Sequence, residues 1–167
     1  MLFSKFESFS DNIAFVDSGG EKIYYSKILN DIKIFEPIIK KRSLILIQSN
    51  NMYESILCYI ASIKLNFVPI LVDSNSNQIF FKDLIKKYKP DFLFILENKN
   101  ITNGYKPVKE FDYFVLYKKN KFLNKHINDN LCMLISTSGT TGSPKYARIS
   151  YENIYHNTKS IINYLKI

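Results

Sequence analysis

From residue 44 to residue 96, apolar runs alternate with amphipathic helical segments, and this order constrains the fold more than any other feature. Three runs have the length and composition of buried strands: 44–47, 67–72 and 92–96. Two segments between them repeat apolar residues at helical spacing: 52–63 and 80–88. A strand–helix–strand–helix–strand order with uniformly apolar strands predicts an α/β fold, in which helices flank a mostly parallel sheet.

The segments around this core are predicted from turn and capping signals. A hairpin is expected to turn at 17–20, and Ser26 is expected to cap a helix. The apolar face of that helix would consist of Ile28, Ile32, Phe35 and Ile39. After the core, the sequence predicts a polar loop at 98–110, a strand at 112–117 and a charged connection at 118–130.

The run 131–145 joins another apolar strand to a cluster of hydroxyl residues, two glycines and one lysine. The strand is expected at 131–135, and polar groups that follow a buried strand are where α/β proteins tend to bind ligands. Glycines let backbone N–H groups turn toward one point, and the lysine adds a positive charge. The run therefore predicts a phosphate site, whose candidate binding residues are Thr137, Ser138, Gly139, Thr140, Thr141, Gly142 and Lys145.

Two other interpretations of this run fit its flanks and spacing less well. A segment rich in Ser, Thr and Gly can be a flexible linker, but a linker is seldom entered from an apolar strand. A Walker-type loop needs lysine directly after glycine, whereas two residues separate Gly142 from Lys145 here. Residues 146–149 lack helix-start signals, so we expect a strand–loop–strand arrangement.

The run resembles the phosphate loop of the adenylate-forming enzymes, a superfamily of acyl-CoA synthetases, luciferases and peptide-synthetase adenylation domains. Residues 137–145 match the family pattern S/T-S-G-S/T-T-G-x-P-K at every specified position. The family usually has glycine directly after the lysine and histidine six residues after the lysine. This chain has Tyr146 and Tyr151 at these two positions. Asn153 matches the asparagine that opens the next helix in the family.

Two upstream segments resemble the same family. Residues 63–70 are similar to the family's L-K-A-G-x-x-x-P-I/L, with Asn66 near the glycine. A helix that ends just before a strand often needs a left-handed residue, and Asn tolerates that conformation best after Gly. Residues 21–28 look like a degraded form of the early T-Y-x-E-L segment. The order and spacing of these segments extend the resemblance over nearly the whole chain.

The resemblance implies that residues 1–167 are part of the N-terminal, AMP-binding domain of such an enzyme, without the rest of that domain or the C-terminal domain. It implies a ligase that uses ATP and Mg²⁺ to convert a carboxylic or amino acid into an acyl-adenylate. The acyl group would then pass to coenzyme A or a carrier protein. The catalytic residues and the magnesium ligand are expected outside this chain, which alone is expected to be inactive.

Two other functions are compatible with the sequence. A non-catalytic remnant or interaction module of the same fold, and an unrelated phosphate-binding nucleotide hydrolase, are the alternatives. The helical pattern that begins at Glu152 continues to Ile167, which favours an N-terminal fragment of a longer enzyme. Residues 68–73 resemble the V-P-I/L-D form of peptide-synthetase relatives, which slightly favours an amino acid or short acyl substrate.

Composition argues against other classes of protein. The net charge is +8, but the cations are nearly all lysines scattered along the chain, so no specific nucleic-acid partner is expected. No apolar run has the length of a membrane span, and the start lacks a signal peptide's apolar block, so we expect a cytoplasmic protein without a membrane partner. Cys58 and Cys132 are expected to be buried thiols. His126, His156 and Arg148 are expected at exposed positions.

Overall fold

The computed structural model describes residues 3, 5–17, 19–38, 41–97, 104–122, 126–136 and 146–166. A 3-10 helix at Phe6–Phe9 precedes the first strand. The α-helices are α1 (Tyr25–Ile32), α2 (Tyr53–Lys64), α3 (Gln78–Tyr88) and α4 (Tyr151–Leu165). The strands are β1 (Ile13–Val16), β2 (Lys22–Tyr24), β3 (Leu44–Ser49), β4 (Val68–Asp73), β5 (Phe92–Leu96), β6 (Tyr105–Glu110), β7 (Phe114–Lys119), β8 (Leu131–Ser136) and β9 (Tyr146–Ser150).

A seven-stranded mixed sheet forms the centre of the molecule, in the order β6-β7-β5-β3-β4-β8-β9. β3 is parallel to β4 and to β5, and β8 is parallel to β4. Antiparallel strands extend both borders, β7 and β6 beyond β5 and β9 beyond β8. The hairpin of β1 and β2 is separate from this sheet. The predicted α/β fold is confirmed, and its parallel strands occupy the middle of the sheet.

Helices cover both faces of the sheet. Ile45 and Ile47 of β3 belong to a core that includes Leu57 of α2. Leu46 lies between them in the sequence and points to the other face, where it joins Phe81 of α3. Because both faces are buried, consecutive positions of the central strands are apolar, which is why the sequence predicts these strands as continuous runs.

Asn66 turns the chain from α2 into β4. Its φ is 63°, and α2 ends at Lys64, two residues earlier. A left-handed backbone is unfavourable for most residues with a Cβ, and Asn is among those that tolerate it. The expectation for Asn66 is therefore confirmed.

Asn153 and Ser150 form a capping box at the start of α4. The Ser150 Oγ accepts a hydrogen bond from the Asn153 backbone N–H at 3.0 Å. In return, the Asn153 Oδ1 accepts from the Ser150 backbone N–H at 3.0 Å. Each bond satisfies a backbone donor that has no partner within the helix, so this pair sets where α4 begins.

Part of the segment predicted as a polar loop at 98–110 is a strand. β6 pairs with β7 at the border of the sheet, and of its six residues only Tyr105 is buried. Lys106 and Pro107 are exposed, as is common on edge strands. An edge strand with one buried side chain has too little apolar periodicity to be recognised in the sequence.

The predicted start of α1 is also wrong. Tyr24 is the N-cap residue, no side chain makes a capping hydrogen bond there, and Ser26 lies inside the helix. The Ser26 backbone N–H donates to the carbonyl of Ser10 at 3.0 Å, so the preceding segment satisfies it instead of a cap. Ile39, which was assigned to the apolar face of this helix, lies outside the described residues.

Candidate functional site

The candidate phosphate loop joins β8 to β9. β8 ends at Ser136 and β9 begins at Tyr146, and these two residues are direct partners in the antiparallel pair. The predicted strand–loop–strand arrangement is therefore confirmed at both flanks. All the candidate binding residues lie between these two ends and outside the described residues: Thr137, Ser138, Gly139, Thr140, Thr141, Gly142 and Lys145.

The loop leaves the sheet at an edge that suits ligand binding. β3, β4 and β8 are parallel neighbours, so their carboxyl ends at Ser49, Asp73 and Ser136 lie along one edge. After β3 the chain continues into α2 on one face, and after β4 into α3 on the other. Connections that leave neighbouring strands toward opposite faces open a crevice between them. Because β8 is next to β4, the loop begins beside this crevice.

A buried glutamine lies at the same end of β3. The Gln48 Oε1 accepts a hydrogen bond from the backbone N–H of Leu96 at 2.9 Å. The Gln48 Nε2 is also buried and has no hydrogen-bond partner within the described part of the chain. A buried N–H group without a hydrogen-bond partner lowers stability by about 1–3 kcal/mol. The Gln48 Nε2 is therefore a candidate hydrogen-bond donor to a ligand at this edge. Gln48 is not predicted as a site residue from the sequence, because it follows the apolar run 44–47 and its hydrogen bond to Leu96 exists only in the fold.

Ser49 and Asp73 supply further polar groups at this edge. The Ser49 Oγ donates to the carbonyl of Val72 at 3.2 Å, and Asp73 accepts from the backbone N–H of Asn75 at 2.8 Å. Asp73 is exposed. Across the described ranges, no group of three or more His, Cys, Asp or Glu side chains could hold a metal ion.

Tyr146, which replaces the glycine that usually follows the family's lysine, packs against the sheet. Its ring meets Tyr88 of α3 edge-on, with centroids 5.6 Å apart. Its hydroxyl donates to the backbone carbonyl of Leu71 at 3.4 Å. Burial raises the pKa of Tyr146 to about 12, and the nearby Tyr88 adds to this effect. The side chain therefore anchors the start of β9 as a neutral group.

Tyr151, which replaces the family's histidine, lies at the opposite edge of the sheet. β9 is antiparallel to β8, so its last residue, Ser150, lies beside Leu131 at the start of β8. At about 3.3 Å per residue, a strand of this length places Tyr151 about 16 Å from Tyr146, where β9 begins. The Tyr151 hydroxyl donates to the Asn66 Oδ1 at 3.4 Å. Two departures from the family pattern therefore contact each other, away from the candidate site.

Arg42 joins three segments at this opposite edge. Its guanidinium donates to the Asn66 Oδ1 and to the backbone carbonyl of Leu131. It also donates to the carbonyl of Asn128 at 2.9 Å. These contacts fix the turn before β4, the segment before β8 and the first residue of β8. Arg42 thus supports the strand that leads into the candidate loop, although it is not part of the site.

The remaining residues singled out from the sequence lie apart from the loop flanks. His126 is exposed before β8, and His156 is exposed on α4, where its ring lies 5.4 Å from that of Tyr155. Arg148 is exposed on β9, as expected. Cys58 and Cys132 are buried free thiols, which confirms their prediction.

Within the described ranges, no helix has both the length and the apolar character that crossing a membrane requires.

Comparison with known proteins gives one family match. The model of the AMP-binding enzyme family matches residues 36–166. No curated protein sequence matches the chain at a significant level.

Solved structures share this fold at low sequence identity. O-succinylbenzoate coenzyme A synthetase from Bacillus subtilis in complex with AMP is 15% identical, with a TM-score of 0.70 over 97% of this chain and 46% of that chain. E. coli MenE with bound OSB-AMS is 15% identical, with a TM-score of 0.66 over 98% of this chain and 38% of that chain. VinN with L-aspartate is 16% identical, with a TM-score of 0.70 over 98% of this chain and 50% of that chain.

This chain therefore spans between 38% and 50% of the length of these structures. Their likeness shows the fold, and the family match covers most of the sequence. The chain belongs to the family of AMP-binding, adenylate-forming enzymes.

Proposed function

We propose that this chain carries the ATP-phosphate loop of a ligase that activates a carboxylic or amino acid as an acyl-adenylate. The observation that carries the proposal is the nine-residue match at 137–145, between two paired strands at the carboxyl edge of the sheet. On this proposal residues 1–167 are part of the N-terminal domain. The rest of that domain and the C-terminal domain would supply the catalytic residues.

The proposed chemistry assigns the loop to the leaving group. A carboxylate oxygen of the substrate attacks the α-phosphorus of ATP, and the bond to pyrophosphate breaks. Negative charge grows on the β- and γ-phosphates, so groups that hold them stabilise the transition state more than the substrate. The loop groups suited to this role are the hydroxyls of Thr137, Ser138, Thr140 and Thr141, the backbone at Gly139 and Gly142, and the Lys145 ammonium.

The remaining components of the reaction are proposed from the family. When bound, Mg²⁺ would neutralise charge on the phosphates, with ligands outside this chain. One similar structure holds AMP and another holds L-aspartate, which supports a nucleotide and a small carboxylic or amino acid as the reactants. The acyl acceptor would be the thiol of coenzyme A or of a carrier protein.

The activity is tested by exchange of labelled pyrophosphate into ATP. The assay uses the longest natural polypeptide that contains this sequence, with a panel of fatty, aryl and amino acids. We expect exchange that depends on one acid class. No exchange with any acid, under conditions in which a known adenylate-forming enzyme is active, would refute the proposal.

The role of the loop is tested by Lys145→Ala in the same polypeptide. We expect exchange to fall about 100- to 1,000-fold, as for other losses of a preorganised electrostatic contact. Lys159→Ala, on the exposed side of α4, is the matched control and should leave exchange unchanged. Steady ATP hydrolysis by the 167-residue chain alone, abolished by Lys145→Ala, would instead support a nucleotide hydrolase.

A further inference from the structure

The fold brings together three lysine-rich segments that are far apart in the sequence. Residues 41–42 precede β3, and residues 86–89 lie between the last turn of α3 and the start of β5. Residues 118–121 are the last two residues of β7 and the two that follow it. β5 is parallel to β3 and antiparallel to β7, so the three segments meet at the amino-terminal edge of the parallel strands. We call this region the basic edge; its cationic residues are Lys41, Arg42, Lys86, Lys87, Lys89, Lys106, Lys118, Lys119 and Lys121.

The basic edge accounts for most of the net charge of the chain. It holds nine of the 23 Lys and Arg residues but only three of the 15 Asp and Glu residues, namely Asp83, Asp91 and Asp129. The local balance is thus +6, within a net charge of +8. Asp91 is buried and accepts from the Leu44 backbone N–H at 3.1 Å, so it adds little at the surface. The sequence places these cations in separate clusters at the ends of helices and strands, and the fold brings the clusters together.

Lysines of the basic edge gather around aromatic rings. The Nζ atoms of Lys41 and Lys118 lie 5.3 and 5.2 Å from the ring centroid of Phe122. The Lys119 Nζ lies 5.9 Å from the ring centroid of Tyr105. None of these three ammonium groups forms a salt bridge with any residue that the structure describes. Ammonium groups gathered without carboxylates produce a positive potential that attracts anions.

The exposed cations of this edge are lysines. Arg42 is the one arginine of the basic edge, and its guanidinium donates to backbone carbonyls of the protein itself. A lysine is a compact point charge without the fork that an arginine offers to one phosphate or base. The basic edge therefore suits a ligand with many phosphates and no fixed base sequence.

A cleft of about 860 Å³ opens beside the basic edge, between the end of α3 and β9. Lys87 belongs to the basic edge and also lines this cleft. The cleft also presents aromatic, cationic and amide side chains, among them Tyr88, His126, Asn128, Tyr146 and Arg148. In proteins that bind single-stranded nucleic acid, cations contact the phosphates and aromatic rings stack on the bases.

We propose that the basic edge and this cleft bind single-stranded nucleic acid without sequence preference. An anionic bilayer would also be attracted to the lysines, but a bilayer is a broad, flat surface and would leave the cleft unfilled. The basic edge lies at the edge of the sheet opposite the candidate phosphate loop, and the cleft extends from it along β9 to Tyr146, the first residue of that strand.

The binding is tested with the 167-residue chain and a fluorescently labelled 20-nucleotide oligouridylate, followed by anisotropy. For about five phosphate contacts, we expect the affinity to fall about 100-fold between 50 and 200 mM NaCl. Lys41→Gln combined with Lys121→Gln should weaken binding at 50 mM NaCl. The same pair should reduce the salt-dependent loss to about 20-fold, because each lost contact removes about 0.7 from the logarithmic slope. Arg148→Gln should weaken binding through the cleft.

The matched control removes two charges elsewhere. Lys22→Gln combined with Lys33→Gln changes exposed residues near the hairpin and after α1, and it should alter the affinity less than twofold. No binding at 50 mM NaCl, or equal weakening by the control pair, would overturn the proposal. Binding to phosphatidylserine vesicles without binding to the oligonucleotide would also overturn it. Equal competition by a duplex of the same length would rule out the role of the cleft.

Discussion

Replacing Arg42 with alanine should destabilise the fold more than any other single change of an exposed or half-buried charge. The guanidinium donates to the Asn66 side chain and to the backbone carbonyls of Asn128 and Leu131. Alanine would remove this donor from the Leu131 carbonyl, which lies in a partly buried position. The Asn66 Oδ1 and the Asn128 carbonyl would keep the hydrogen bonds from the Tyr151 hydroxyl and the Leu131 backbone N–H. The Arg42 side chain therefore links the turn at Asn66 to Asn128 and to the first residue of β8.

The magnitude follows from the number and type of these bonds. A hydrogen bond to a charged group contributes about 1.5–3 kcal/mol, and bonds that share one side chain are not additive. We therefore expect Arg42→Ala to lower the free energy of unfolding by about 3 kcal/mol. For a chain of this size, that corresponds to a decrease of about 6–12 °C in the thermal midpoint. Urea denaturation followed by far-UV circular dichroism measures the loss directly.

Two controls separate the effect of the hydrogen bonds made by the Arg42 guanidinium from the effect of its charge. Arg148→Ala removes the other arginine of the chain, which is exposed on β9, and should change the free energy of unfolding by less than about 0.5 kcal/mol. Arg42→Lys keeps the charge but loses the planar fork, so it should recover only part of the stability. A loss below 1 kcal/mol for Arg42→Ala, or full recovery by lysine, would refute this account.

Three further predictions concern single groups. Asn66→Ala should be less stable than Asn66→Gly by about 1 kcal/mol in urea denaturation, because both lose the amide contacts but only alanine strains the φ of 63°; equal stabilities would contradict this. Tyr105→Phe should lower the free energy of unfolding by about 1 kcal/mol, because the buried hydroxyl donates to the Pro90 carbonyl at 2.6 Å. An unchanged midpoint of urea denaturation would show that this hydrogen bond does not stabilise the fold. Burial raises the pKa of Cys132 to about 11 and that of Tyr146 to about 12, so the folded state favours their neutral forms. Burial also raises the pKa of the Cys58 thiol, so stability should be full at neutral pH and decline from about pH 9 upward as both unfolded thiols and then the unfolded phenol ionise. A Cys132→Ala variant should decline less steeply between pH 9 and 11, and an unchanged decline would argue against a contribution from Cys132.

Much of the central sheet could be predicted from the sequence. The predicted strand at 92–96 coincides with β5, and the predicted strands at 44–47 and 67–72 differ from β3 and β4 by two residues or fewer at each end. Strands buried on both faces are continuous apolar runs, and this signal is local in the chain. β6 could not be predicted, because at the border of the sheet only its Tyr105 is buried.

The candidate site was partly predictable for a related reason. A motif of nine adjacent residues identified the loop, and the apolar run before it identified β8. Gln48 was missed because its significance depends on the hydrogen bond to Leu96, 48 residues away in the chain. Sequence patterns report neighbours in the chain, whereas a buried, unpaired amide is recognised only from its neighbours in space.

The sequence by itself determined the α/β class, the central strands and the family, because apolar periodicity and a contiguous motif are properties of adjacent residues. The tertiary structure alone decided which distant residues meet. It placed Tyr151 against Asn66 at the edge away from the loop, and it gathered three separate lysine clusters at that same edge. These contacts depend on strand order and direction in the sheet. No single segment specifies either of them, because pairing is settled by how all the strands and helices bury their apolar faces together.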